Sequence, residues 1–90
     1  MDIDTINKVM LSDELNKSEK MVLEWYLDYQ YGGDRLGAFF TKLFNAMSSA
    51  DMINRERFRQ GFAEEFEAFD SWTRGDMSDR VNAIAGKKFV

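Results

Sequence analysis

Apolar residues recur along the chain at helical spacing, most clearly in DRLGAFFTKLFNAM, residues 34–47. Leu36, Phe39, Phe40, Leu43, Phe44 and Met47 follow an i, i+3, i+4, i+7, i+8, i+11 ladder. At about 100° per residue they form one stripe roughly 140° wide, the mark of a helix that faces a core. Gly37 and Ala38 leave room on it for a neighbour's close approach. In MVLEWYLDYQY the apolar residues Met21, Val22, Leu23, Trp25, Tyr26, Leu27 and Tyr29 cover about two-thirds of the helical wheel. Only Glu24 and Asp28 are left on a narrow polar side, as expected of a central helix touched on several sides. Tyr29 and Tyr31 then fall near its exposed end.

The segment GFAEEFEAFDSW, residues 61–72, alternates aromatic and acidic residues. On a helix, Phe66 and Phe69 lie within about 60° of each other, with Glu64, Glu67 and Ser71 opposite. Phe62 stands where a staple residue would pack on Phe66. Most of the alternation is therefore inside against outside. Trp72 departs from it, lying about 60–120° off the Phe stripe, between Glu65 and Ala68 in projection. A tryptophan on the border of an acidic face either closes the core edge or meets a partner, since Trp is enriched in binding surfaces.

Start and stop signals frame these segments. Gly32-Gly33, Gly61, Gly75 and Gly86 each follow a periodic run, while Ser18, Asp34, Asn54 or Asp51, and Ser78 stand at the starts. They predict helices at 18–31, 34–48, 52–60, 63–74 and 78–85, with a short helical turn within 4–15. There is no proline, no alternating strand pattern, no repeat and no linker. The expected fold is all-α: one domain over residues 1–90, a bundle of four to five short helices. Residues 1–17 are expected as a loosely packed N-terminal turn and 87–90 as a tail.

Composition narrows the chemistry. The chain has no cysteine and no histidine, so thiolate and imidazole metal sites, disulfides and Cys or His catalysis are all absent. No cofactor, metal or catalytic residue is expected, and no enzyme activity. Paired carboxylates such as Glu64 and Glu67 lie on a face without a pocket signal. A calcium loop at DYQYGGDRLGAF lacks acids at its third and fifth positions and ends in Phe39 rather than glutamate. RGD at residues 74–76 reads as a helix stop followed by the next start. The polar N-terminus and the lack of a long apolar run predict a cytoplasmic protein with no membrane partner.

The net charge is −4, unevenly spread. Residues 1–34 carry −5, residues 35–60 carry +3, residues 61–79 carry −5, and the last eleven carry +3. Attraction between helices of one domain accounts for most of this pattern. Two functional readings compete with it. Tyr29, Tyr31, Glu65 and Trp72 are candidate contacts for a protein partner, with the acidic faces around them able to imitate a phosphate track. Alternatively Arg55, Arg57 and Arg59, on the second helix of a helix-turn-helix-like pair, are candidate nucleic-acid contacts. Against the latter, Arg57 points about 160° away from the other two, and the chain as a whole is acidic. A third reading is a self-assembling structural component.

The run GAFFTKLFNAMSSADMINRERFRQGFAEEFEAFDSW, residues 37–72, resembles short open reading frames of bacteriophages and prophages. Their shared pattern is FFTKLFxAIxxADxxNxxRLxxGFPEEVxAYxxW. Phe39, Phe40, Leu43, Phe44, Ala50, Asp51, Asn54, Gly61, Phe62, Glu64, Glu65, Ala68 and Trp72 stand at matching positions, and Phe58 keeps an apolar residue where the pattern has leucine. Ala63 stands where the pattern has proline, which removes a rigid first helical position but leaves the helix start intact. The resemblance covers about two-fifths of the chain. It implies a helical, phage-encoded accessory protein acting inside a bacterial host cell. Small acidic proteins of that kind often bind and inhibit a host enzyme or defence factor.

Overall fold

Capping side chains open three of the chain's helices, and glycines at positive φ precede two more. In the computed structural model, which describes residues 2–90, the helices are α1 (Ile3–Met10), α2 (Lys17–Tyr31), α3 (Ala38–Ser49), α4 (Met52–Gly61), α5 (Ala63–Thr73) and α6 (Asp76–Ala85). No strand occurs among the described residues, and the protein is all-α with six helices rather than four or five.

Several helix starts differ from the expected ones, each for a local reason. Helix α2 begins at Asn16, not Ser18. The Asn16 side chain accepts from the Glu19 backbone N–H at 2.8 Å, and Glu19 accepts in return from the Asn16 N–H at 2.9 Å. This reciprocal box satisfies two donors that the first turn would otherwise leave open. Ser18 is buried inside that turn. At α4 the start agrees with the expected 52–60: of the two candidate caps it is Asp51 that opens the helix, accepting from the Asn54 N–H at 2.8 Å. Helix α6 starts at Asp76, directly after Gly75 at φ 87°, so one left-handed glycine both ends α5 and admits α6.

The start of α3 is displaced most, from Asp34 to Ala38. The cause lies one helix earlier. Asp28 accepts from the backbone N–H groups of Arg35 and Leu36, both at 3.1 Å, and from the Arg35 guanidinium at 2.9 Å. A carboxylate holding two successive N–H groups keeps residues 33–36 out of the helix, and Gly37, at φ 91°, lets it begin.

The N-terminal segment is more than a loose turn. Helix α1 runs two turns and packs on α6, with Thr5 and Val9 buried. Residues 87–90 are tied down as well. Asn82 accepts from the N–H groups of Phe89 and Val90 at 2.7 and 2.9 Å and donates to the Val90 carbonyl at 3.2 Å. Lys87 reaches Asp2 at 3.2 Å, which joins the two ends of the chain.

The helix at the centre is α5, which packs against α2, α3, α4 and α6. Helix α2 shows its broad apolar arc because it meets both α3 and α5. Phe44, Phe66, Phe69, Leu23, Leu27 and Met47 fill the interior. Phe44 and Phe69 stack with centroids 6.3 Å apart, and Trp25 meets Phe69 edge-on at 5.8 Å, both within the range of favourable aromatic pairs. The ladder on α3 is buried at Leu43, Phe44 and Met47, but Phe39 is 63% exposed. Phe39 lies at the edge of the stripe, on a side of α3 that no helix closes, since α4 packs against α5 instead.

Candidate interaction surfaces

The corner between α2 and α3 presents the first surface. Tyr29 and Tyr31, in the last turn of α2, are 81% and 54% exposed. Phe39, near the start of α3, is exposed as well but points away from Ala38 and Thr41 on the helical wheel, its ring edge-on to Phe40 at 5.1 Å. A hollow of about 260 Å³ opens here between Trp25, Tyr29, Gly33, Asp34, Ala38 and Thr41. Its wall is rigid, because Trp25 donates from Nε1 to Asn45 at 2.9 Å and Asp28 holds the loop as described. Burial pushes the Asp28 carboxyl up, but hydrogen bonds from Arg35 and from the Arg35 and Leu36 backbone outweigh it and hold it below its ordinary value. One turn earlier, burial and then the nearby Asp28 charge raise Glu24.

Trp72 and Glu65 do not stand out in solvent beside the tyrosines. Trp72 is half-buried, its ring 4.8 Å from that of Tyr26 and inclined at 47°. Tyr26 precedes Tyr29 by three positions, so this tilted pair lies one helical turn from the exposed corner. Glu65 is half-buried too, and its Oε2 is shielded from solvent with no hydrogen-bond partner among the described residues. Sequence projection located the border position of Trp72 correctly but could not supply Tyr26 as the ring that covers it. It took Phe39 for a core residue.

The three arginines of α4 divide as the helical wheel requires. Arg55 and Arg59 both lie over the ring of Phe66, with guanidinium carbons 5.5 and 5.4 Å from its centre. Arg55 also reaches Asp70 at 3.4 Å, a carboxylate shared with Arg74. Arg59 pairs with Glu56 at 3.7 Å. Arg57 faces the other way, and its contact is the Asn54 side chain at 3.4 Å.

On the Arg57 side a groove of about 550 Å³ separates α3 from α4. Ala46, Ala50, Phe58, Gly61 and Phe62 make an apolar floor, with Ser49, Asp51, Asn54 and Arg57 as the polar lining. Helix α4 has no fully buried residue, which fits a helix supported on one side only. A second cleft, about 610 Å³, lies between the start of α2 and helices α5 and α6. Three of its polar groups engage one another, since Arg80 donates to Glu19 and reaches Ser71 at 3.5 Å.

Among the described residues no cluster of three acids could hold a metal ion, and no helix is long and apolar enough to cross a membrane. No protein-family model matches the chain, and comparison with curated proteins and with solved structures finds no match.

Proposed function

We propose that this chain is a non-enzymatic binding protein of the phage accessory kind, which grips a host protein in the bacterial cytoplasm and inhibits it. The contact surface is the corner between α2 and α3. One observation carries the reading: Tyr29 and Tyr31 place two large aromatic rings in solvent at the end of α2, where the core does not need them. Aromatic side chains give a large contact area for few rotatable bonds, so such a cluster suits a binding surface. Trp72 then supports the corner through Tyr26, and half-buried Glu65 is not part of the contact. The nucleic-acid alternative is weaker on the same geometry. Arg55 and Arg59 are engaged by Phe66, Asp70 and Glu56, which leaves Arg57 alone to meet a phosphate.

The test is affinity capture from nuclease-treated bacterial lysate, with wild type beside a Tyr29→Ala/Tyr31→Ala double variant, read by mass spectrometry. The expected result is one host protein enriched by the wild type and lost with the variant. Equal recovery by both, or no specific recovery by either, overturns the reading.

A further inference from the structure

We infer that the groove between α3 and α4 receives the outward ridge of α1 from a second copy of this chain. The proposal concerns a different surface from the aromatic corner and stands or falls separately from it.

The ridge is built by spacing. Ile3, Asn7 and Leu11 stand at i, i+4 and i+8, which brings them within about 80° on a helix and makes a ridge about 12 Å long. Opposite them, Thr5 and Val9 face α6 and are buried. The ridge therefore points to solvent, with Ile3 69% and Leu11 80% exposed. Two large aliphatic side chains at the two ends of one short helix, both left in water, are a cost unless something covers them.

The groove matches this ridge in chemistry and in length. Its floor is apolar, and its α4 wall, Asn54 to Gly61, runs for about 10 Å. Small residues at Ala46, Ala50 and Gly61 leave depth for an inserted side chain, while Phe58 and Phe62 supply contact area. Charge favours the same pairing. Arg57 lines the groove, and Lys42, exposed one turn before Ala46, lies on the same side of α3; neither forms an ion pair among the described residues. Around the ridge, the acids Asp4, Asp13 and Glu14 outnumber the base Lys8, and all four are exposed and without ion pairs among the described residues. Asp51, which caps α4, offsets one of the charges of Arg57 and Lys42 and leaves the groove and its edge with one positive charge in excess. A basic-edged groove and an acidic-flanked ridge attract one another across copies. Within one molecule α1 is held against α6, so its ridge is open to another copy's groove.

Because ridge and groove are different patches, the contact can be tested by complementation. Leu11→Glu destroys the ridge and keeps the groove; Ala46→Glu fills the groove and keeps the ridge. Both positions are exposed, so both variants should fold, which circular dichroism verifies. Sedimentation up to about 1 mM, where weak association is still measurable, should show wild-type mass rising with concentration. Each variant alone should self-associate at least about tenfold more weakly. Mixed in equal amounts, the two should form a one-to-one complex, because one intact ridge meets one intact groove. A wild type that stays monomeric overturns the proposal, whether or not it binds an acidic helical peptide from another source. So does a mixture that stays monomeric while the wild type associates, or a wild-type association that neither variant weakens.

Discussion

Arg80, on α6, donates from Nη2 to Glu19 Oε2 in the first turn of α2, while the other oxygen of that carboxylate accepts the backbone N–H of Asn16. One side chain thus closes the α2 cap and joins two helices far apart in sequence. Glu19 is buried, which pushes its carboxyl up, but hydrogen bonds from Arg80 and Asn16 outweigh the burial and hold it below its ordinary 4.5. Removing it, as in Glu19→Ala, loses the cap bond and leaves Arg80 without its partner. The expected cost is about 2–3 kcal/mol in urea unfolding.

The acid limb of stability follows from the same pair. Glu19 is more acidic folded than unfolded, so its contribution is complete above about pH 4.5 and fades as pH falls through the lower folded value. Glu24 has the opposite sign. Burial and Asp28 raise its carboxyl, so its charge opposes folding at neutral pH, and that opposition disappears in acid. Glu24→Gln should therefore raise stability slightly at pH 7 and change nothing below about pH 4. Glu19→Gln should lower stability at pH 7 and flatten the acid limb. Urea midpoints measured at a series of pH values check both.

Asp2 provides a more local titration. Its carboxylate accepts from the Thr5 hydroxyl, the Lys87 ammonium and the Asp4 N–H, and its pKa falls from 3.8 to about 2. The cap and the tie between chain ends should stay intact as pH drops below 3.8, then release towards 2. Carboxyl-carbon NMR should place the Asp2 midpoint near the lower value. Lys87→Ala should move it upward.

These contacts also mark what could be read from the sequence and what could not. The helical class and the core positions Leu43, Phe44, Met47, Phe66 and Phe69 follow from period alone, because side chains one turn apart share a face whatever lies opposite. The α2 start was present in the sequence as Asn-x-x-Glu, residues 16–19, but the nearer serine concealed it. The α3 start was hidden, since it depends on Asp28 reaching residues 35 and 36, which no local preference encodes. Phe39 and the α3–α4 groove were hidden for a related reason. Periodicity says which face is apolar, not whether a neighbour covers it. The exposed tyrosines at the end of α2 were legible because the helix stops there at Gly32-Gly33.

Trp72 and Tyr29 should separate cleanly in stability. Trp72 meets Tyr26 at a tilt and is packed at the core edge, so Trp72→Ala removes aromatic contact and opens a gap. About 2–3 kcal/mol should be lost, below the cost at a fully buried aromatic. Tyr29→Ala and Tyr31→Ala, in solvent, should each stay within about 0.5 kcal/mol of wild type. Thermal and urea unfolding of the three variants decides this. A stable Trp72→Ala protein would return the tryptophan to the set of contact residues.

The arginines of α4 give the last expectation, because stability and nucleic-acid binding assign them opposite roles. If Arg55 and Arg59 serve the fold, replacing either with methionine removes a cation from the Phe66 ring and costs about 0.5–1 kcal/mol. Arg55→Met should cost more, since it also releases Asp70. Arg57→Met should be nearly neutral, because its contact is one long hydrogen bond to Asn54. If all three instead contact phosphates, each replacement should weaken duplex binding similarly on any sequence and reduce the salt slope by about one. Fluorescence anisotropy with a short duplex at low and high salt, beside urea unfolding of the same three variants, distinguishes the patterns. The contacts over Phe66 predict unequal stability losses and no steeply salt-dependent binding.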